Sequence, residues 1–344
     1  MNLKINRSFE KIILFPLFLS VSFSICYWAI AKYDVYSDYR ACGDAYSYIK
    51  MSRMEYKDVP RPYRYRILMP SIVYLLNKNL KIEGFLSKYY EDVDKKTIQL
   101  NFGIINILAI TFTAFLLYYY CLHLAFTKWE SLVGAFLYFT SFFVVTYYSV
   151  PMVDSLASFF VMACFYSILK NKSLGLFFAF LLGVFTKEST FFIILLIILV
   201  DRNIFSKRLF ACLPGVFAYI LFVRIFPAGE GENIFSIALN VNTLKQYLQS
   251  YTQSLNFYTV IEYIQTFMFL WALFFYALYK VKKPVFLKRS LWLMLFPFFV
   301  SPVVGASAVG RVAFYLFPIV IPLSLLALRD FLGVDAGVKS DMLR

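Results

Sequence analysis

Histidine is almost absent from this sequence: His123 is the only one in 344 residues. A lone imidazole at the end of an apolar segment reads as an interfacial residue, and a histidine-based metal site is not supported. Five cysteines (Cys26, Cys42, Cys121, Cys164 and Cys212) show no Cys-x-x-Cys spacing. Four of them fall in apolar segments and read as small buried residues; Cys42 alone sits in a polar loop, so no disulfide framework follows. Charge is scarce, at 16% of residues, and neither an internal repeat nor a low-complexity tract is found.

What the chain has instead is apolar surface: 61% hydrophobic residues, with 40 Phe and 27 Tyr. No soluble domain of this size hides that much, so lipid must be part of its solvent. The apolar runs are continuous rather than alternating in strands of about ten residues, which excludes a transmembrane barrel. The expected fold is therefore all-α, a single polytopic transmembrane helical bundle over residues 1–344. About ten spans are expected, at 11–31, 99–123, 130–149, 153–169, 174–187, 190–203, 209–226, 259–279, 290–307 and 311–328. Lys4, Arg7 and Lys11 before the first run resemble a signal peptide. The run is about 20 residues, long for a signal core, and ends in the interfacial pair Tyr27-Trp28, so it reads as an uncleaved first helix.

The net charge of +14 does not make nucleic acid a partner, because most Lys and Arg flank apolar segments. With a cytoplasmic N-terminus, half of the 34 cations fall in inner loops, from Lys4 through Lys128, Lys170, Arg208 and Lys283 to Arg344. The short outer connections hold only Lys187, Arg224, Lys245 and Arg311. That asymmetry places both termini in the cytoplasm, with residues 330–344 as a tail. The remaining cations lie in a first outer loop, 32–98, long enough to escape the positive-inside rule. Inside it, Ile67 to Leu76 is apolar but spans only about 15 Å as a helix, so it lies along the interface or dips in from outside. A second outer loop, 227–258, contains a candidate amphipathic helix at Val241 to Leu255.

Ionisable residues gather at the outer ends of the expected spans: Asp34, Asp38 and Asp44 after the first helix, Asp154, Lys187, Glu188, Arg224, Glu262 and Arg311. Each alone is explained by capping or snorkelling; together they indicate a shared polar site. Asp44, in GDAYSYIKMS, reads either as a general base for an acceptor hydroxyl or as a helix N-cap. Arg61, Arg64 and Arg66 alternate with Tyr63 and Tyr65. In an extended segment Arg64 and Arg66 would share one face and suit a phosphate, or equally anionic headgroups. Lys187 and Glu188, in FTKEST, interrupt two apolar runs without a packing reason. Asp154, in PMVDSLASFF, is either a cap or an acceptor-binding carboxylate.

GDAYSYIKMS followed by PYRYRILMP, with PMVDSLASFF, FTKEST and GRVAFYLFPIVIPL, resembles the GT-C superfamily of integral-membrane glycosyltransferases. The resemblance implies transfer of a sugar from a polyprenyl-phosphate donor to an acceptor glycan, lipid or protein, on the outer face of a bacterial cytoplasmic membrane. It implies Asp44 as base, with Asp34 or Asp38 as substitutes, and Arg61, Arg64, Arg66, Lys187 and Arg311 around the donor phosphate. Asp154, Glu188, Tyr48, Tyr63 and Tyr65, together with Asp34 and Asp38, would bind acceptor or support the site. No cofactor is assigned and a divalent cation is not indicated. Phosphate is already a good leaving group, so the chemistry needs cations for it and one base, not a second carboxylic acid. The rival readings are a polysaccharide polymerase or ligase, disfavoured by an outer loop with one lysine and no arginine, and a transporter, which calls for repeats and midplane charges.

Overall fold

The computed structural model describes residues 7–32, 43–57, 59–60, 62–80, 93–203, 205–226, 257–299 and 309–333. Among them all regular structure is helical. This is the outcome expected where little water reaches the backbone, because a helix satisfies its own amide groups.

The axis of the bundle is α4, Val93–His123, 31 residues and about 46 Å long. Helix α1, Arg7–Lys32, packs along it, and between the two Thr111 Oγ1 donates to Ser22 Oγ at 2.9 Å. The loop segment after α1 contributes α2, Gly43–Met51, and α3, Leu68–Asn79. Helix α3 lies on α4 with Met69, Pro70 and Val73 buried and Leu75 exposed. Beyond α4 the chain turns at Ala125, with φ +64°, into α5, Lys128–Phe139. A capping box starts that helix: Thr127 Oγ1 accepts from the Glu130 amide, and Glu130 accepts from the Thr127 amide.

Of the ten expected segments, 130–149 is interrupted at Thr140 and Ser141, giving α5 and the short α6, Phe142–Thr146. Segment 153–169 is α7, Asp154–Leu169, and 174–187 is α8, Ser173–Thr186. Segment 190–203 starts in a 3-10 turn, Glu188–Phe191, and continues as α9, Phe192–Asp201. Segment 209–226 is α10, Lys207–Ile225. Segment 259–279 is two helices, α11, Phe257–Phe267, and α12, Leu270–Lys280, bent by 77° around Met268. After α13, Val285–Ser290, segment 290–307 opens as a 3-10 turn, Leu291–Leu295. Segment 311–328 is divided into α14, Val309–Phe314, and α15, Phe317–Phe331. Among the described residues three helices are long and apolar enough to cross a membrane, α1, α4 and α10, or four if the bent pair counts as one span. The segments at 241–255 and 330–344 fall wholly or mostly outside the described residues.

Two apolar cores organise the bundle. The larger joins α1, α4, α5, α7, α8, α9, α12 and α15, and takes in the buried Cys26, Cys121, Cys164 and Cys212. The smaller seats the loop helices on the bundle: Tyr48, Ile49 and Met51 of α2 and Met69 and Val73 of α3 meet Ile98, Phe102 and Ile105 of α4 and Val153 and Leu156 near the start of α7. Charges separate to the two ends of α7. At its far end Arg208 reaches Asn171 and Asp201, and Arg329 grips Glu130 through Nε at 2.6 Å and NH2 at 2.7 Å. Glu10 meets Lys128, and accepts from Tyr118 at 2.5 Å. At its near end lies the cluster described next.

Helix α8 approaches α7 closely at Gly183, where an added Cβ would lie 2.7 Å from Thr190 Cγ2 and 3.2 Å from Phe160 Cβ. Gly183→Ala is therefore expected to cost about 1–3 kcal/mol through overpacking. Thermal unfolding of the detergent-solubilised chain checks this; an unchanged midpoint would show that α8 relaxes freely.

Candidate functional site

The site is centred on one guanidinium. Arg311 lies in α14, and its side chain is only 11% exposed. Its NH1 donates to Asp44 Oδ2 at 2.6 Å, and its NH2 donates to Asp154 Oδ2 at 2.7 Å. The loop helix α2 and the bundle helix α7 are thereby joined through a third element far along the chain.

Asp154 is the first residue of α7 and is almost wholly buried, yet its side chain does not cap the helix. Its second oxygen, Oδ1, accepts from Lys187 Nζ at 2.7 Å and from the Tyr315 hydroxyl at 3.0 Å. Both carboxylate oxygens face cations, which answers the capping alternative for this residue. Lys187 ends α8 in an extended conformation, φ −161° and ψ 129°, so the helix stops where the ammonium has to turn inward. That ammonium also sits 5.2 Å over the Tyr315 ring, and the Arg311 guanidinium lies 5.6 Å over the Tyr147 ring.

Beside this group stands a second pair. Arg66 holds Glu188 in a fork: Nε donates to Oε2 at 2.8 Å and NH2 to Oε1. Arg66 NH1 donates to the Tyr48 hydroxyl at 2.7 Å, and its guanidinium lies 5.0 Å over Tyr63. Tyr48 and Tyr63 meet edge to face at 5.9 Å. The three cations Arg66, Lys187 and Arg311 thus match the three acids Asp44, Asp154 and Glu188.

Burial differs across the cluster in a way that gives it a direction. The Asp154 side chain is 2% exposed and Lys187 6%, whereas Asp44 is 20% exposed. Asp44 is thus far more exposed than Asp154, and Glu188, at 31%, is the most exposed acid of the cluster. Burial acts to raise its pKa, but the Arg311 charge and hydrogen bonds from Arg311 and Tyr63 outweigh this and hold the carboxyl below its ordinary value. Burial first, and the hydrogen bond to Asp44 second, push the Tyr63 phenol up to about 12.

The structure thus brings together Asp44, Arg66, Asp154, Lys187, Glu188 and Arg311, with Tyr48 and Tyr63. Two residues are not brought in. The segment at 63–65 is a 3-10 turn rather than an extended strand, so Arg64 and Arg66 do not share a face. Arg64 instead lines an outer cleft of about 550 Å³ with Lys50, Glu55, Tyr56 and Lys57. Tyr65 is buried against Tyr219 and Phe222 of α10. The physical reason is the turn set by Pro60 and Pro62: Arg64 donates its amide to the Pro60 carbonyl and Tyr65 to that of Pro62. Asp34, Asp38 and Arg61 lie outside the described residues. Tyr147 and Tyr315 were not assigned from sequence, although Tyr315 stands four residues beyond Arg311, the spacing of one helical face. Among the described residues no group of three or more His, Cys, Asp or Glu side chains could hold a metal ion. His123 stacks on Tyr166 at 5.6 Å.

Compared with known protein families, curated proteins and solved structures, the chain matches none.

The cluster makes two predictions. Asp154→Ala leaves Lys187 and Arg311 buried without their shared partner, which should cost about 3–5 kcal/mol; a denaturant titration that moved by less than about 1 kcal/mol would show the cations re-pairing elsewhere. The Asp44–Arg311 pair carries a definite pH sign. A folded carboxyl below its unfolded value of about 3.9 stabilises fully above that pH, and the contribution is lost as pH falls through the folded value. Unfolding midpoints of the wild type and Asp44→Asn should therefore differ at neutral pH and converge below about pH 4, while divergence on acidification would refute the pairing.

Proposed function

We propose that this chain is a membrane glycosyltransferase of the GT-C type, moving a sugar from a polyprenyl-phosphate donor to an acceptor glycan, lipid or protein. The observation that carries the reading is Arg311 bound at once to the outer-loop Asp44 and the buried Asp154. A guanidinium fixed by a buried carboxylate on one side and a more exposed one on the other is a ready oxyanion site. The donor phosphate takes the place of Asp44 on Arg311 NH1, with Lys187 adding charge from behind Asp154. Arg66 stays with Glu188 and holds Tyr48 and Tyr63 against the loop.

The exchange also activates the base. While Arg311 grips Asp44, the carboxylate is a poor proton acceptor; once the phosphate draws that cation away, its affinity for a proton rises. Asp44 then takes the proton of the acceptor hydroxyl, the acceptor oxygen bonds to the anomeric carbon, and the sugar–phosphate C–O bond breaks. Its electron pair leaves on the polyprenyl phosphate. No other reactant is needed. Helix α3, apolar and set beside the cluster on α4, holds the start of the prenyl chain.

The finer topology belongs to the same proposal: ten spans in a bacterial cytoplasmic membrane, both termini cytoplasmic and the cluster outward. Supporting it is the division of ion pairs between the two ends of α7.

The test is extraction of lipid-linked sugars and surface glycans from cells with the chain intact, deleted, or carrying Asp44→Asn. Loss of a general base lowers turnover by about 10²–10⁴-fold. One polyprenyl-phosphate sugar should accumulate in both altered strains, and one glycan should lack that residue. Arg311→Lys, unable to serve two carboxylates in a fixed plane, should show the same pattern. Unchanged pools and glycans in the deletion strain would remove the transferase reading and favour transport.

A further inference from the structure

Arg311 has a third face. Its Nε is buried and makes no hydrogen bond among the described residues, although NH1 and NH2 are both engaged. Oε2 of Glu262, a residue of α11, is likewise buried and unpartnered. The two belong to packed helices, α11 against α14. They are the two halves of a hydrogen bond, a donor and an acceptor, yet they do not bond each other. The Glu262 carboxylate packs on the backbone just before Arg311. Gly310 has no side chain, and a Cβ there would fall 2.8 Å from Glu262 Oε2 and 2.8 Å from the Glu262 carbonyl oxygen. Only glycine leaves the carboxylate where it stands.

A donor N–H and an acceptor oxygen, both buried and both without a partner, match a small group that is donor and acceptor at once. A hydroxyl has that chemistry. We propose that Glu262 and Arg311 Nε form the acceptor-hydroxyl site, one sugar hydroxyl donating to Glu262 Oε2 and accepting from Arg311 Nε–H. This rests on the transferase reading and extends it to the acceptor, a polyhydroxylated molecule. Glu262 is an acceptor-binding residue here: a hydroxyl held on it stays protonated, and the proton of the reacting hydroxyl still goes to Asp44. Because NH1 serves the donor side and Nε the acceptor side, a single planar group sets the two substrates next to each other.

The test uses the full chain in nanodiscs and in cells, with Glu262→Gln, Glu262→Ala and Arg311→Ala beside the deletion strain. The binding probe is undecaprenyl phosphate alone, without sugar. Losing a hydrogen bond to a charged group predicts that glycan modification by Glu262→Gln falls about tenfold or more, and further in Glu262→Ala, with the donor pool rising. Undecaprenyl phosphate affinity and the unfolding midpoint should stay at wild-type values in Glu262→Gln, whereas Arg311→Ala should lose both phosphate binding and modification. A merely structural Glu262 would move the midpoint. Wild-type modification by both Glu262 variants, where deletion abolishes it, would mean that the two atoms meet only water and would overturn the proposal while leaving the transferase standing. Phosphate binding lost in Glu262→Gln as in Arg311→Ala would also overturn it, by making Glu262 a positioning residue for the donor. A deletion strain with normal pools and glycans would remove both readings together.

Discussion

A buried charge is tolerated only if it is matched, and this requirement shapes the whole near end of the bundle. Removing an ion from water costs several kcal/mol unless an opposite charge and hydrogen bonds replace the solvent. Three cations and three acids meet that condition here, and each is delivered by a different piece of chain: α2, the turn before α3, the start of α7, the end of α8, the following 3-10 turn, and α14. The helix breaks follow from the same demand. Helix α8 stops at Lys187, and α7 starts at Asp154, because those side chains must point into the cluster rather than along an apolar surface.

The apolar cores do the complementary work. Were the loop helices held only by Arg311 and Arg66, a competing anion would release them. The smaller core, with Tyr48, Met69, Phe102 and Val153 fully buried, fixes α2 and α3 to α4 and α7 independently of the charges. In the proposed exchange, Asp44 would change partners while its helix stays in place.

Much of this was legible in the sequence and some was not. The all-helical class follows from continuous apolar runs, and the meeting of Asp44, Asp154, Lys187, Glu188 and Arg311 from their shared placement at segment ends on one side. Sequence could not separate Arg64 from Arg66: both lie in the same Tyr-Arg alternation, and only the turn imposed by Pro60 and Pro62 buries one and leaves the other on a surface cleft. Nor could it show that Asp154 forgoes capping, because the signal for a helix start and for an inward carboxylate is the same residue. The bend at Met268 and the break at Thr140-Ser141 carry no proline or glycine, so apolar periodicity runs straight through them. Glu262 stood in the sequence among the outer-end charges, but that its Oε2 is buried without a partner appears only once α11 and Gly310 are packed together.

The sequence separation of the cluster has a consequence for how the chain is made. Asp154 meets Lys187 only 33 residues later, but its bond to Arg311 spans 157 residues and that of Asp44 spans 267. A growing chain can neutralise Asp154 in part as soon as α8 is complete. Asp44 has no Arg311 partner until nearly the whole polypeptide has been synthesised. The last helices to emerge are thus the ones that close the polar centre, and a chain cut short before α14 leaves Asp44 and one oxygen of Asp154 without their Arg311 partner.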